Sequence, residues 1–135
     1  MIECLIIGDS IAVGVSQVRP ECKTISKSGI NSADWNRRNL QNLKPARTLI
    51  ISLGANDYRG IDTLQHLRHL RSEARADRVF WLLPSSKLKP RQVEAVRQVA
   101  AEYGDTVIPR PESNISADGV HPTYRGYRVL GDLTK

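Results

Sequence analysis

A serine hydroxyl is a weak nucleophile until a base within hydrogen-bond reach takes its proton, and that base needs a third group to fix its tautomer. The chain holds three histidines. His66 and His69 lie three residues apart inside the charged stretch Ile61–Arg75, where helical spacing places them on one solvated face. His121 stands instead in the loop-like segment Asp118-Gly119-Val120-His121-Pro122. Asp118 precedes it by three residues, so one turn of backbone can bring the carboxylate against the far ring nitrogen. There it would raise the basicity of the imidazole and stabilise the imidazolium formed when a hydroxyl attacks. Taken alone, the segment reads better as a plain Asp118-Gly119 turn with His121 a surface residue before a helix. The candidate hydroxyl is Ser10, in Gly8-Asp9-Ser10. Attack on an ester carbonyl creates an oxyanion, which needs preorganised donors. The Gly29 N–H and the Asn56 amide are candidates, although Ser28-Gly29 and Gly54-Ala55-Asn56-Asp57 also make ordinary loop and turn sequences.

These residues need a scaffold. Ile2–Ile7 is a short apolar run ending in Gly-Asp-Ser, which reads as a buried parallel strand turning into a helix. Arg47–Leu53 ends in Gly54 and Arg78–Leu83 in Pro84, so both read as strands stopped by a breaker; Lys23–Ser26 and Thr106–Ile108 are weaker strand candidates. Helical stretches intervene at Ala12–Val18, Ala33–Leu43, Ile61–Arg75 and Pro90–Glu102, with a last one at Tyr124–Leu133. Ser32 is placed to cap the second helix and Pro90 suits a first helical turn. Strand-helix alternation implies an α/β fold with a parallel sheet covered on both faces, and in such sheets function gathers outside the carboxyl ends of the strands. Gly8-Asp9-Ser10, Ser28-Gly29-Ile30 and Gly54-Ala55-Asn56-Asp57 each follow a strand and so fall on that edge.

In identity, order and position along nearly the whole chain, these pieces resemble the SGNH (GDSL-like) hydrolase family. Gly8-Asp9-Ser10-Ile11 looks like its nucleophile block, Gly29 like its second-block glycine, Gly54-Ala55-Asn56-Asp57 like its Gly-x-Asn-Asp block, and Asp118-Gly119-Val120-His121-Pro122 like its Asp-x-x-His block. The resemblance implies Ser10 as nucleophile, Asp118 and His121 as the other triad members, and the Ser10 N–H, Gly29 and Asn56 as oxyanion donors. It also implies a flavodoxin-like three-layer α/β/α sandwich with a five-stranded parallel sheet in the order 2-1-3-4-5, and chemistry through an acyl-Ser10 intermediate with no metal or organic cofactor. Ala12 stands where the Gly-x-Ser-x-Gly elbow of ordinary α/β-hydrolases needs its second glycine. At 135 residues the chain is short for the resembled family, so the loops that shape a deep pocket are expected to be missing. An open site suits a small acyl group, acetyl foremost, on a small ester or an acylated polysaccharide. Tyr58, Arg59 and Val120 are expected to line the substrate, Asp9 and Asp57 to hold turns, and Trp35 and Trp81 to pack.

The remaining features bound the reading. The length predicts one domain over residues 1–135, and 40% hydrophobic with 25% charged residues is ordinary for a globular chain. A formal charge of +6 and a pI of about 9.7 attract anionic partners. No aromatic-rich stretch accompanies the basic residues, which argues against nucleic acid as the ligand. A noncatalytic module docking on an anionic polymer is the alternative from another class; the Ser10, Asn56, Asp118 and His121 set argues against it. A flavodoxin-like phosphate binder is disfavoured because Asp9 would repel phosphate at the first turn. Leu5-Ile6-Ile7 is too short for a signal-peptide core and nothing approaches a membrane span, so the expected location is cytoplasmic, with release by lysis or a virion as routes to an outside substrate. Cys4 and Cys22 lack metal-like spacing and are expected to be reduced packing thiols.

Overall fold

The computed structural model describes residues 1–135. In chain order the elements are β1 (Ile2–Gly8), α1 (Ser10–Val18), β2 (Lys23–Ser26), α2 (Ser32–Asn39), β3 (Ala46–Ser52), α3 (Thr63–Glu73), β4 (Ala76–Leu82), α4 (Pro90–Tyr103), β5 (Thr106–Ile108) and α5 (Tyr124–Leu133). The strands form one parallel sheet in the order β2-β1-β3-β4-β5. This is the flavodoxin-like order expected above.

Alternation along each strand sends successive side chains to opposite faces, so an apolar strand can serve two cores at once. Leu5, Ile7, Leu49, Ile51 and Trp81 pack with Trp35 of α2, Leu67 and Leu70 of α3, and Val96 and Val99 of α4. Cys4, Ile6, Ile50, Phe80 and Leu82 pack on the other face with Ala12 and Val15 of α1 and Leu130 of α5. The result is a three-layer sandwich. Trp35 and Trp81 are fully buried, and their indole N–H groups donate to the Ile25 carbonyl and to Asp105, so both act in packing. No helix is long and apolar enough to cross a membrane.

Helix starts follow the caps rather than the apolar pattern. α1 begins at Ser10, two residues before the expected Ala12, because the Asp9 carboxylate caps it through the Ile11 N–H. The cap of α2 is Asn31, which accepts from the Asp34 N–H at 2.8 Å, and not Ser32. Ser32 is already helical, and its hydroxyl is taken by Asp57 at 2.6 Å. The last turn expected of α2 tightens into a 3-10 turn at Leu40–Asn42, and α3 starts later than Ile61 because Asp62 caps it.

The cysteines correct a second expectation. Cys4 and Cys22 form a disulfide with a Cα separation of 4.7 Å, and no free thiol remains. The cause is register: Leu5 of β1 faces Lys23 of β2, which sets the preceding residues of the two adjacent parallel strands side by side. Their separation of 18 in sequence carries no sign of this.

Candidate active site

The carboxyl ends of β1 and β3 are flush, Gly8 facing Ser52. The chain turns there so tightly that a Cβ on Gly8 would lie 1.8 Å from the Ser52 carbonyl oxygen, and Gly8 takes φ +136°. Glycine is required at this point. The next residue, Asp9, is completely buried. Its N–H donates to the Ser52 carbonyl at 3.0 Å, and its Oδ1 accepts from the Ile11 N–H at 3.0 Å and the Ser52 hydroxyl at 2.9 Å. Burial pushes its carboxyl up from 3.8 to about 6, against those hydrogen bonds, and Oδ2 has no partner. Asp9 therefore locks the turn as expected. Ser10 follows as the first residue of α1, where its N–H has no intrahelical acceptor and the helix dipole favours negative charge.

His121 reaches Ser10 from the far end of the chain. Its Nε2 lies 2.9 Å from Ser10 Oγ, and its Nδ1 lies 2.7 Å from Asp118 Oδ2. An ionised carboxylate can only accept, so Nδ1 carries the proton and Nε2 accepts the serine O–H. The other Asp118 oxygen accepts from the Val120 N–H, the His121 N–H and the Ser116 hydroxyl, at 2.8, 2.9 and 2.8 Å. These bonds, led by that of the His121 side chain, hold the Asp118 carboxyl well below the usual carboxylate range.

The loop carrying this pair is a small hairpin-like turn. Ile115 and Pro122 form an antiparallel bridge, the Ser116 N–H donates to the His121 carbonyl, and the Thr123 N–H donates to the Asn114 carbonyl. Arg110, whose guanidinium is largely buried, donates to the Gly119 and Val120 carbonyls.

Asn56 lies between β3 and α3, lining one cleft with Ser10 and His121. One of its two amide N–H groups goes to the Ile30 carbonyl at 3.1 Å, leaving the other free and tying the Gly29 loop to the β3 end. Neither the Ser10 nor the Gly29 N–H donates to another group of the protein. Gly29 itself is exposed, in the left-handed region at φ +83°, and does not line the cleft. Asp57 holds the loop from below, accepting from the Ser32 N–H and hydroxyl and the Thr63 hydroxyl.

The cleft beside Ser10 encloses about 120 Å³, with Ile11, Leu82, Leu83, Leu88, Val120 and Leu130 among its apolar walls. Val120 lines it. Tyr58 and Arg59 do not; they line a larger neighbouring groove of about 780 Å³ between the loops after β3 and β4. The two spaces share Leu88 and Lys89. Sequence reasoning also missed Arg110, Ser116 and the Leu83–Lys89 segment. That segment follows a strand and could have been found by the edge rule already applied to β1, β2 and β3.

No protein-family model and no curated protein matches the chain. Solved structures do. A GDSL-like lipase from Bacteroides thetaiotaomicron superposes with a TM-score of 0.71 at 17% identity, over 98% of this chain and 85% of that one. The C-terminal catalytic domain of a Streptococcus pneumoniae peptidoglycan O-acetyltransferase superposes at 0.63 with 15% identity, over 96% and 88%. A carbohydrate acetylesterase family member from Sinorhizobium meliloti superposes at 0.60 with 15% identity, over 96% and 94%. Strand order and overlap across the full sheet together show that this chain has the SGNH-hydrolase fold.

Proposed function

We propose that the chain is a serine esterase that removes short acyl groups, acetyl foremost, from a carbohydrate or cell-wall glycan. The observation that carries this is the Ser10 Oγ to His121 Nε2 contact of 2.9 Å, continued at 2.7 Å to Asp118. In this reading Ser10 Oγ bonds to the ester carbonyl carbon while His121 Nε2 takes its proton and Asp118 stabilises the imidazolium. The oxyanion is met by the Ser10 N–H, the Gly29 N–H and the free Asn56 N–H. Collapse breaks the carbon–oxygen bond to the alcohol, which leaves with the proton from His121. Water then attacks acyl-Ser10, giving its proton to His121; the second collapse returns that proton to Ser10 Oγ and frees the acid. No metal or organic cofactor enters.

Two features support a small acyl group on a large alcohol. The cleft beside Ser10 is small, about 120 Å³ against about 780 Å³ for the neighbouring groove, which favours a small acyl group there and a large alcohol beside it. The fold is also that of an O-acetyltransferase of peptidoglycan and of a carbohydrate acetylesterase. The Cys4–Cys22 disulfide favours an oxidising compartment over the cytoplasm expected above, and such a compartment gives access to extracellular glycans.

Hydrolysis of p-nitrophenyl acetate tests the reading. The Ser10→Ala protein should keep its circular dichroism spectrum and lose about 10³-fold or more in kcat. An unchanged rate in a pure Ser10→Ala preparation removes the mechanism.

A further inference from the structure

The groove beside the acyl cleft shares Lys89 with it and adds two arginines of its own. Three cationic side chains, Arg59, Lys89 and Arg91, line it. Neither arginine makes an ion pair within the protein, and both are exposed. Lys89 is half-buried, and its Nζ donates to the Asp57 carbonyl at 2.8 Å, which holds the ammonium in place with two N–H donors to spare. Of the two acidic residues lining the groove, Asp57 is fully buried with both oxygens turned inward onto Ser32 and Thr63, so the exposed Asp62, which caps α3 through the Gln65 N–H, is the one carboxylate that opposes the three cations. Two exposed apolar groups, Tyr58 at 63% and Leu88 at 54% exposure, line the groove as well. A planar ring beside guanidinium groups offers one surface to the face of a sugar and another to its carboxylate.

Leu88 and Lys89 border both spaces, so the groove adjoins the cleft and offers room for the alcohol part of an ester whose acyl group fills it. At about 780 Å³ the groove is large enough for several sugar units and open enough for a polymer. Resting on the esterase reading, we infer that this groove binds the alcohol portion of an acylated acidic polysaccharide, with Arg59, Lys89 and Arg91 engaging uronate carboxylates. A nucleic acid would meet the same cations but carries no acyl ester for the adjoining cleft.

Calorimetry with hexagalacturonate and neutral xylohexaose reads the groove without any dependence on catalysis. Wild type should bind hexagalacturonate at least about tenfold more tightly than xylohexaose, with the difference shrinking at high salt. The double variant Arg59→Gln/Arg91→Gln, altered at exposed positions, should lose about tenfold or more in hexagalacturonate affinity. On acetylated substrates the same variant should lower the acidic-to-neutral kcat/KM ratio by a similar factor, mainly through KM. Equal affinity of wild type for the two hexasaccharides overturns the inference, as does undiminished hexagalacturonate binding by the double variant. Either result beside normal p-nitrophenyl acetate hydrolysis leaves the esterase reading standing. Charge-selective binding without p-nitrophenyl acetate hydrolysis would instead remove the esterase reading and keep the acidic-glycan site.

Discussion

The two halves of the Ser10–His121 contact are held in opposite ways. The hydroxyl side is embedded: Gly8 and Asp9 are buried, the turn is clasped to Ser52 by two hydrogen bonds, and both cores press on β1. The imidazole side is an exposed loop, with Asp118 and His121 roughly half accessible and fastened by hydrogen bonds among near neighbours. The difference separates two kinds of precision. Where packing sets a position, an error costs the fold; where a local network of polar groups sets it, an error costs geometry and leaves the fold intact.

That contrast breaks most sharply at Gly8. A Cβ there would meet the Ser52 carbonyl oxygen at 1.8 Å in a backbone conformation with φ +136°. Relief needs β1 and β3 to separate, at a cost of at least about 3 kcal/mol against a total stability of order 5–15 kcal/mol. Gly8→Ala should therefore yield little folded protein, or a large fall in Tm with all activity lost. A normal melting curve would show that the Gly8–Ser10 turn is not packing-controlled.

On the other side, Asp118→Asn should leave Tm within a few degrees while lowering kcat on p-nitrophenyl acetate by about 10²–10⁴-fold, because an amide can present a donor to Nδ1 and select the wrong tautomer. An equal loss of stability and activity would mean that the loop is structural after all.

A pH-dependent effect sharpens the comparison within the buried turn. Asp9 holds its proton more tightly when folded, at about 6 instead of 3.8. Below pH 4 both states are protonated and no penalty exists; between pH 4 and 6 the unfolded chain ionises first, so stability falls as pH rises. Above pH 6 the penalty is complete at about 3 kcal/mol. Asp9→Asn keeps an acceptor for Ile11 and Ser52 but cannot ionise. Thermal unfolding at pH 4, 5, 6 and 7 should show the Tm of Asp9→Asn gaining on wild type as pH increases. A constant difference across that range would place the Asp9 proton elsewhere.

Much of this architecture was legible in residue order. The apolar runs at Ile2–Ile7, Arg47–Leu53 and Arg78–Leu83 are strands within one or two residues, and even Lys23–Ser26 and Thr106–Ile108 are correctly bounded. Sheets buried on both faces demand such runs, and breakers such as Gly54 and Pro84 end them. Errors gathered where a polar side chain chose a cap, at Asp9, Asn31 and Asp62, since several neighbouring residues could have served. In the site, Asp118 and His121 were readable as a pair because three residues of backbone suffice to join them.

What the amino-acid order determined by itself was local: which segments are strands or helices, which turns need glycine, and which carboxylate can reach which imidazole. Tertiary structure alone decided the rest. It joined Ser10 to His121 across 111 residues, set Cys4 beside Cys22, spent one Asn56 donor on Ile30 and put Tyr58 and Arg59 in a groove outside the Ser10 cleft. The reason is that hydrophobic periodicity and capping act over a few residues, whereas strand order and register bring distant residues together only when the whole sheet closes.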